Sequence, residues 1–333
     1  MDDITQQVSA MYAKYPYPSP QAQGRKFKEL VNLLKLFSRE TQYDLDGKSV
    51  LDAGTGTGHR VIEGAAAFKN TRFTAVDISE TPLAIARQTA AHEGVENVAF
   101  HRVNIMDGSE TFGSFDMVLS MGVIHHLSDP AAGIRNLVRN LADDGILFLY
   151  IYGRHGGRER MRRKRIVSLL LNRNKQDFEQ GICLVKELGF DSSEYGWDLD
   201  VGDEKIRNAL IVDAYLNVNE TLYDFDSIFD LMRSSGLYGF LAYGLTMGKT
   251  GCLFDTRVGK GRTMSMTTDI RAHIQSQMAR DASERLTLAD KYRLIDLFFE
   301  PNGYTLMGCK AGALRHFSPE SRIMANMLRI SEI

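Results

Sequence analysis

The sequence is poor in the residues that would mark it as a disulfide-rich, metal-binding or membrane protein. It has 333 residues, of which only 3 are cysteine and 1 is tryptophan. Cys183, Cys252 and Cys309 lie far apart in the chain, which fits neither a disulfide framework nor a zinc site. No apolar run reaches the roughly 18–20 residues that a membrane-spanning helix needs. The formal net charge of −2 gives no general attraction to nucleic acid or to anionic membranes.

The N-terminus shows no targeting signal. MDDITQQVSAMYAKY has no cationic start and no apolar core, both of which a signal peptide requires. Together with the sparse cysteines, this predicts a cytoplasmic protein with reduced thiols and no membrane contact.

From residue 49 the sequence alternates between short apolar runs and helical patterns. The runs KSVLDA, RFTAVDI, NVAFHRV, FDMVLSM and ILFLYIY have the composition of strands, and the last is apolar on both faces. The runs LYGFLAYG and YTLMGCKAG supply two more strands near the C-terminus. Strands that alternate with helices indicate βαβ units. We therefore predict an α/β fold with a doubly wound, mostly parallel, seven-stranded sheet.

The remaining segments predict additions to one end of this sheet. Prolines and tyrosines crowd YAKYPYPSP near the N-terminus, and two long insertions interrupt the later strands. Loops at the carboxyl ends of such strands hold ligands, so we expect the helical insertions to form a cap over the site. The predicted division is an N-terminal lid or helical arm (1–43), a cofactor-binding core (44–152), a cap insertion (153–225), a further core segment (226–245), a second insertion (246–289), and a final helix and strand with a tail (290–333).

The loop after the first strand reads VLDAGTGTGHR. Gly54, Gly56 and Gly58 depart from the dinucleotide spacing G-x-G-x-x-G, because His59 stands where the third glycine belongs. Asp52 would repel a pyrophosphate but would suit a ligand with a cationic amino group. Bare backbone at the glycines still allows a ligand to approach closely.

Two further polar residues follow the next strands. Asp77 is placed to accept hydrogen bonds from ribose hydroxyls, although it could equally cap a helix. Asn104 could hold an exocyclic amino group or could be an ordinary loop residue. With the glycine loop, these residues describe a pocket for an adenosine with a zwitterionic tail and no phosphate. S-adenosylmethionine is such a ligand.

The motifs resemble those of the class I S-adenosylmethionine-dependent methyltransferases. VLDAGTGTG, AVDIS, VNIMD and FDMVLSMGVIHHLSDP match four family motifs in order, and LADDGILFLYIYG matches the segment that follows. The resemblance covers 45–152 well, and 210–245 and 290–312 more loosely. KYPYP and GVIHHLSDP are most similar to a bacterial subgroup that acts on small molecules.

The resemblance implies a role for each matching residue. Asp52, Gly54, Thr55 and Gly56 would hold the methionine tail of S-adenosylmethionine, and Asp77 its ribose. The adenine contacts would come from Ile78, Asn104 and Ile105, and the residues near the sulfonium would be Ser120, Met121 and Gly122.

Candidate residues for the acceptor side are less specific. His125 and His126 follow the fourth strand, where an imidazole could act as a general base or could be purely structural. The other candidates are aromatic or polar residues of the arm and of DAYLNVNETLYDF, which could instead pack on the surface or cap a helix. They are Tyr12, Tyr15, Tyr17, Asp213, Tyr215, Asn217 and Asn219.

These features predict methyl transfer to a small-molecule N, O, C or S nucleophile by in-line displacement, with the cap and arm closing over the site. The alternative is a macromolecular acceptor, tRNA or a protein side chain, bound by the seven Lys/Arg of Arg154–Arg165. That run lacks aromatics for base stacking, so nucleic acid is the less favoured partner. A protein that only binds the cofactor, and a homodimer, both stay open. No residue spacing indicates a metal site.

Overall fold

The computed structural model describes residues 2–19, 28–108, 113–174, 177–191, 203–246 and 274–333. Most of the predicted second insertion (247–273), most of the acidic stretch 191–204, and Cys252 lie outside the described residues. The strands are β1 Ser49–Ala53, β2 Arg72–Asp77, β3 Val98–Arg102, β4 Phe115–Met121, β5 Leu141–Tyr152, β6 Gly239–Thr246, β7 Gly303–Cys309 and β8 Leu328–Arg329.

The strands form one mixed sheet in the order β3-β2-β1-β4-β5-β7-β6-β8. The pairings from β3 to β5 are parallel, whereas β7 runs antiparallel to both β5 and β6. The predicted doubly wound α/β fold is confirmed, but the count of seven strands is wrong. The eighth strand in the described part of the chain has only two residues, too few for a sequence pattern to indicate.

The sheet is covered on both faces. Val50 and Leu51 are adjacent in β1 and both are fully buried, as are Met117 and Val118 in β4. Successive side chains of a strand point to opposite faces, so neither face of these strands reaches solvent. The helices are α1 Asp3–Lys14, α2 Glu29–Thr41, α3 His59–Ala67, α4 Glu80–Glu93, α5 Pro130–Arg139, α6 Arg158–Leu170, α7 Phe178–Glu187, α8 Glu204–Ile211, α9 Phe225–Arg233, α10 Gln277–Glu284, α11 Leu288–Phe299 and α12 Arg322–Asn326.

The arm and the first insertion share a second hydrophobic core. Met11 of α1 packs there with buried residues of α6, α7 and α8, among them Val167, Ile182 and Ile211. We call this helical unit, formed by α1, α6, α7, α8 and residues 212–218, the cap.

The sequence pattern did not indicate helix α1 as such, because the prolines of YAKYPYPSP in the same arm are typical of an irregular segment. Its N-terminus is nevertheless well specified, because the Asp2 carboxylate accepts a hydrogen bond from Thr5 N at 2.9 Å. Val8, Met11, Tyr12 and Tyr15 follow at helical spacing and all join the core of the cap.

We expect Phe37→Ala to lower the free energy of unfolding by about 3–5 kcal/mol. Phe37 of α2 is fully buried, and its ring lies 5.4 Å from the ring of Phe148 in β5. Urea unfolding monitored by circular dichroism measures the loss. Leu170→Ala, at a side chain that is 54% exposed, is the control and should change stability by less than about 0.5 kcal/mol. Equal effects of the two substitutions would contradict the assignment of α2 to the core.

Candidate active site

The glycine loop leaves the sheet at its switch point, between β1 and β4. Gly54, Gly56 and Gly58 have φ values of +81°, +56° and +76°, in the left-handed region that L side chains rarely adopt. Gly54 N and Thr55 N donate to the carbonyl oxygen of Val76 at 2.8 and 3.0 Å. The loop is therefore fixed to the end of β2 before any ligand binds.

Steric contacts also require glycine in this loop. A Cβ at Gly54 would lie 2.3 Å from Cγ2 of Val123, which follows β4. A Cβ at Gly56 would lie 2.4 Å from the carbonyl oxygen of Tyr17 in the arm. The backbone of the arm thus rests directly on the loop.

Asp52 provides a buried negative charge beside the loop. Its side chain is 6% exposed, and burial raises its pKa to about 6 despite the opposing effects of Thr55 and Arg60. It forms no ion pair with any residue that the structure describes. A buried carboxylate without a cation is costly, so this position fits the ammonium group of an amino acid tail.

Asp77 supports the loop while retaining acceptor capacity. Its Oδ2 accepts from Gly56 N and its Oδ1 from Ser79 N, both at 2.9 Å. Each carboxylate oxygen has a second lone pair that can receive a ribose hydroxyl. Burial raises the pKa of Asp77, and the two backbone N–H donors oppose that rise. The roles of loop support and ribose binding are therefore compatible at this residue.

The candidate adenine residues lie after β2 and β3. Asn104 Oδ1 accepts from Met106 N at 3.0 Å, and this hydrogen bond fixes the turn. Ile105 is buried and Ile78 is half-buried. The assignment of these three residues to adenine stays a prediction.

The candidate sulfonium residues end β4. Ser120 is fully buried and donates its hydroxyl to Ala53 O at 3.1 Å, which holds β4 against the end of β1. Met121 is half-buried, and Gly122 follows with φ +85°. Ser120 can thus influence a ligand by holding the loop after β4 in position. Met121 is more exposed than Ser120.

The arm makes a second contact with the loop through Thr57. Its hydroxyl donates to the carbonyl oxygen of Pro18 at 2.8 Å and also lies 2.8 Å from Nδ1 of His59. Thr57 is fully buried. The segment Tyr17–Ser19 therefore crosses the glycine loop as a fixed part of the structure.

Several predicted acceptor residues meet inside the cap, between α1 and the segment that follows α8. Tyr12 donates its hydroxyl to Asp213 Oδ1 at 2.7 Å, and Asn217 Nδ2 donates to the same tyrosine oxygen at 3.1 Å. Asp213 lies in a π-helical turn, Val212–Leu216, that continues α8. Such turns recur at functional sites.

The two candidate histidines lie beside this group. His126 Nδ1 is 2.8 Å from Asn219 O, and Asn219 Nδ2 donates to His126 O at 3.1 Å. His125 is fully buried, with its ring centroid 3.8 Å from that of Tyr152. Burial lowers the pKa of both imidazoles, so both are neutral at pH 7. Residues 219 and 221 hydrogen-bond the backbone oxygens of the pair, which fixes its position, and catalysis by either imidazole stays a prediction.

Tyr15 and Tyr215 are placed elsewhere, inside the cap. The Tyr15 ring packs 5.5 Å from that of Phe178, and Tyr215 donates its hydroxyl to Phe190 O at 2.8 Å. The structure does not bring these two side chains to Asp213.

Tyr152 lies beside the candidate histidines and was not among the residues predicted from the sequence. It ends β5, contacts the rings of His125 and His126, and lies 5.0 Å from the Arg160 guanidinium carbon. Its position as the last residue of ILFLYIY, at the carboxyl edge of the sheet, could have indicated this.

Five of the seven cations in the basic run form ion pairs with carboxylates. Arg160 and Lys164 both bind Glu220, with Arg160 Nη1–Oε2 at 3.0 Å and Lys164 Nζ–Oε2 at 2.7 Å. Arg162 and Arg163 pair with Glu159. The remaining members are exposed, and one of them, Arg154, pairs with Asp224 at 2.7 Å.

In the part of the chain that the structure describes, no three His, Cys, Asp or Glu side chains are grouped to hold a metal ion. Within the same residues, no helix combines the length and apolar character needed to cross a membrane.

Comparisons with known proteins agree with this geometry. Residues 44–164 match a family model described as a methyltransferase domain. This match, the sheet order and the glycine loop support a methyltransferase domain of the S-adenosylmethionine-dependent type in residues 44–164.

The most similar relatives include an uncharacterized protein of Synechococcus sp., 28% identical over 71% of this chain and 59% of that protein. The ubiquinone biosynthesis O-methyltransferase of Sodalis glossinidius is 32% identical over 39% of this chain and 53% of that enzyme. The chain thus spans little more than half the length of these relatives. Among solved structures, PKMT2 from Rickettsia typhi in complex with AdoHcy shares the fold, with a TM-score of 0.56 and 17% identity over 86% of this chain and 53% of that one.

We expect Asp77→Ala to weaken S-adenosylhomocysteine binding tens-fold, or by about 1.5–3 kcal/mol. The substitution removes both the acceptors for ribose and the support for Gly56 N. Isothermal titration calorimetry measures the dissociation constant. Asp116→Ala is the matched control, because Asp116 also accepts a backbone hydrogen bond, from Ser49 N at 2.9 Å. Asp116 lies near the amino end of β4, at the opposite end of the strands from the glycine loop. An unchanged constant for Asp77→Ala would contradict the ribose assignment.

Cofactor affinity should also fall in acid. The Asp52 carboxylate has a pKa of about 6, so it is ionised at pH 7 and becomes protonated as the pH drops through 6. Only the ionised form attracts an ammonium group, so the dissociation constant of S-adenosylhomocysteine should rise by about tenfold between pH 7 and pH 5. Asp52→Asn should bind weakly and with little pH dependence over the same range. A wild-type dissociation constant that is flat over this range would refute the assignment of Asp52.

Proposed function

We propose that this protein transfers the methyl group of S-adenosylmethionine to a small-molecule acceptor, which binds between the glycine loop, the arm and the cap. The cofactor supplies an activated methyl group on a sulfonium. The work of the chain is then to hold the two reactants in line and to exclude water.

The observation that carries the proposal is the crossing of the glycine loop by the arm. Gly56 lies against Tyr17 O, and Thr57 binds Pro18 O at 2.8 Å. The cap packs on the same arm through Met11. An acceptor must therefore fit beneath the arm, which favours a small molecule over a folded macromolecule.

The acceptor-side residues have separate proposed tasks. Tyr12, Asp213 and Asn217 form one hydrogen-bonded group that would contact the acceptor. His125 and His126 are neutral, so either could accept a proton if the acceptor must lose one. Tyr17 would close the site over the cofactor.

The macromolecular alternative finds less support. It rests on the run Arg154–Arg165, in which Arg160 and Lys164 are directed inward to Glu220. Charges that are paired inside the protein contribute little to phosphate binding. Salt-dependent binding of bulk tRNA would nevertheless favour that alternative.

The proposal is tested by calorimetry with S-adenosylhomocysteine, followed by transfer of a labelled methyl group. The acceptor panel contains small amines, phenols, carboxylates and thiols. Bulk tRNA and denatured protein are tested as macromolecular acceptors. Binding together with transfer to a small molecule is expected. Failure to bind S-adenosylhomocysteine, or transfer to the macromolecules alone, would overturn the proposal.

Gly56→Ala should abolish measurable cofactor binding, with an effect of at least about 100-fold. The added Cβ would lie 2.4 Å from Tyr17 O, so either the arm or the loop must move. Gly94→Ala is the matched control, because Gly94 has a similar φ of +66° but no atom within 4 Å of the added Cβ. It should lose about 1 kcal/mol of stability and keep its affinity for S-adenosylhomocysteine. Equal affinities of the two variants would show that the arm does not rest on the loop in solution.

A further inference from the structure

Asp213 is a second buried carboxylate without a cation. Its side chain is 4% exposed, and the Tyr12 hydroxyl at 2.7 Å is its hydrogen-bond donor among the described residues. No Lys, Arg or His nitrogen in the described ranges lies within ion-pair distance of it. An anion that is desolvated and unpaired is costly in an apo protein, and a cationic ligand would remove that cost.

The nearest cations are already engaged. Arg160 uses Nη1 for Ala214 O at 2.9 Å and for Glu220, and Nη2 for Glu220 as well. Lys164 binds the same carboxylate at 2.7 Å. Arg160 therefore interacts with Asp213 only across a distance, and Asp213 retains one oxygen for a ligand.

Tyr12 contacts the carboxylate, and the charge of Asp213 also acts on Tyr17 and Tyr152. Burial raises the pKa of Tyr12, Tyr17 and Tyr152, and the negative charge of Asp213 raises each further. All three are nevertheless only half-buried. The rings of Tyr12 and Tyr152 lie 6.5 and 5.9 Å from the ring of His126, so both belong to one group of side chains beside Asp213. The faces of aromatic rings attract cations.

This group of side chains adjoins the cofactor loop. The backbone of Tyr17 rests on Gly56, and the charge of Asp213 raises the pKa of the Tyr17 hydroxyl. Tyr152 ends β5, next to the end of β4 where the sulfonium residues lie. A group held by Asp213 would thus lie on the acceptor side of the cofactor.

We propose that Asp213, with the rings of Tyr12, Tyr17 and Tyr152, is a recognition site for an alkylammonium group, and that the methyl acceptor is an aliphatic primary or secondary amine. This proposal rests on the proposed function. The bound ammonium first releases a proton to solvent. The nitrogen lone pair then forms a bond to the methyl carbon, the carbon–sulfur bond breaks, and its electron pair stays on sulfur. The products are S-adenosylhomocysteine and a methylated ammonium.

The first experiment uses wild-type protein saturated with S-adenosylhomocysteine. Saturation-transfer NMR compares n-butylammonium with n-butanol and with butyrate, which share a chain but differ in charge. Labelled methyl transfer from S-adenosylmethionine is measured with n-butylamine, phenethylamine and putrescine and with their alcohol and acid counterparts. Binding and methylation of amines alone are expected.

The second experiment uses Asp213→Asn, which removes the charge but keeps an acceptor for the Tyr12 hydroxyl. We expect amine binding and amine methylation to fall by roughly ten- to a hundredfold, with unchanged affinity for S-adenosylhomocysteine. Asp203→Asn is the matched control, since Asp203 is exposed and caps α8, the same helix, by accepting from Lys205 N at 2.8 Å. It should retain both properties.

The outcomes separate the two proposals. If S-adenosylhomocysteine does not bind, the proposed function itself fails. If it binds but n-butylammonium gives no saturation transfer and no amine is methylated, the amine site is refuted while the proposed function stands. Preferential methylation of alcohols or acids, or an Asp213→Asn variant as active on amines as the control, would refute it in the same way. Should Asp213→Asn not fold, the wild-type comparison of charges still decides.

Discussion

The contact of the arm with the glycine loop is the constraint on which the rest of the site depends. It joins Tyr17 and Pro18 to Gly56 and Thr57 across a sequence gap of about 40 residues. The loop is already fixed on its other side by Val76 and Asp77. Because the same arm begins with a helix that is part of the cap, movement of the arm would displace the cofactor side and the acceptor side together.

The candidate site contains two buried carboxylates in different surroundings. Asp52 lies beside the glycine loop, and Asp213 lies across the arm from it. Neither forms an ion pair within the part of the chain that the structure describes. A ligand can compensate such desolvated charges, so in the proposed function Asp52 belongs to a cofactor half of the site and Asp213 to an acceptor half.

The first half of the fold could be predicted from the sequence because its signals are local. Each strand of 49–152 is a short apolar run, and the glycines and Asp77 stand at strand ends where a parallel sheet collects them. The cap could not be assembled in this way, since Tyr12 and Asp213 meet over 201 positions in the chain. Helix α1 was detectable from Asp2 and the spacing of Val8, Met11, Tyr12 and Tyr15, but the neighbouring prolines obscured it. Tyr15 and Tyr215 show a limit of prediction from sequence. Composition cannot tell which ring of an aromatic cluster faces a ligand site and which ring packs in a core.

The basic run shows why the charge of a segment predicts little about its partner. Residues 154–165 have the composition of a phosphate-binding patch, yet four of the cations form ion pairs with Glu220 and Glu159. Glu220 is nearly inaccessible, and its two cations hold its pKa well below the ordinary value. The ion pairs of Glu220 hold α6 against residues 214–220, the segment that carries Asn217 and Asn219. The cations therefore serve the acceptor half of the site from within, by setting the position of the turn that presents Asp213.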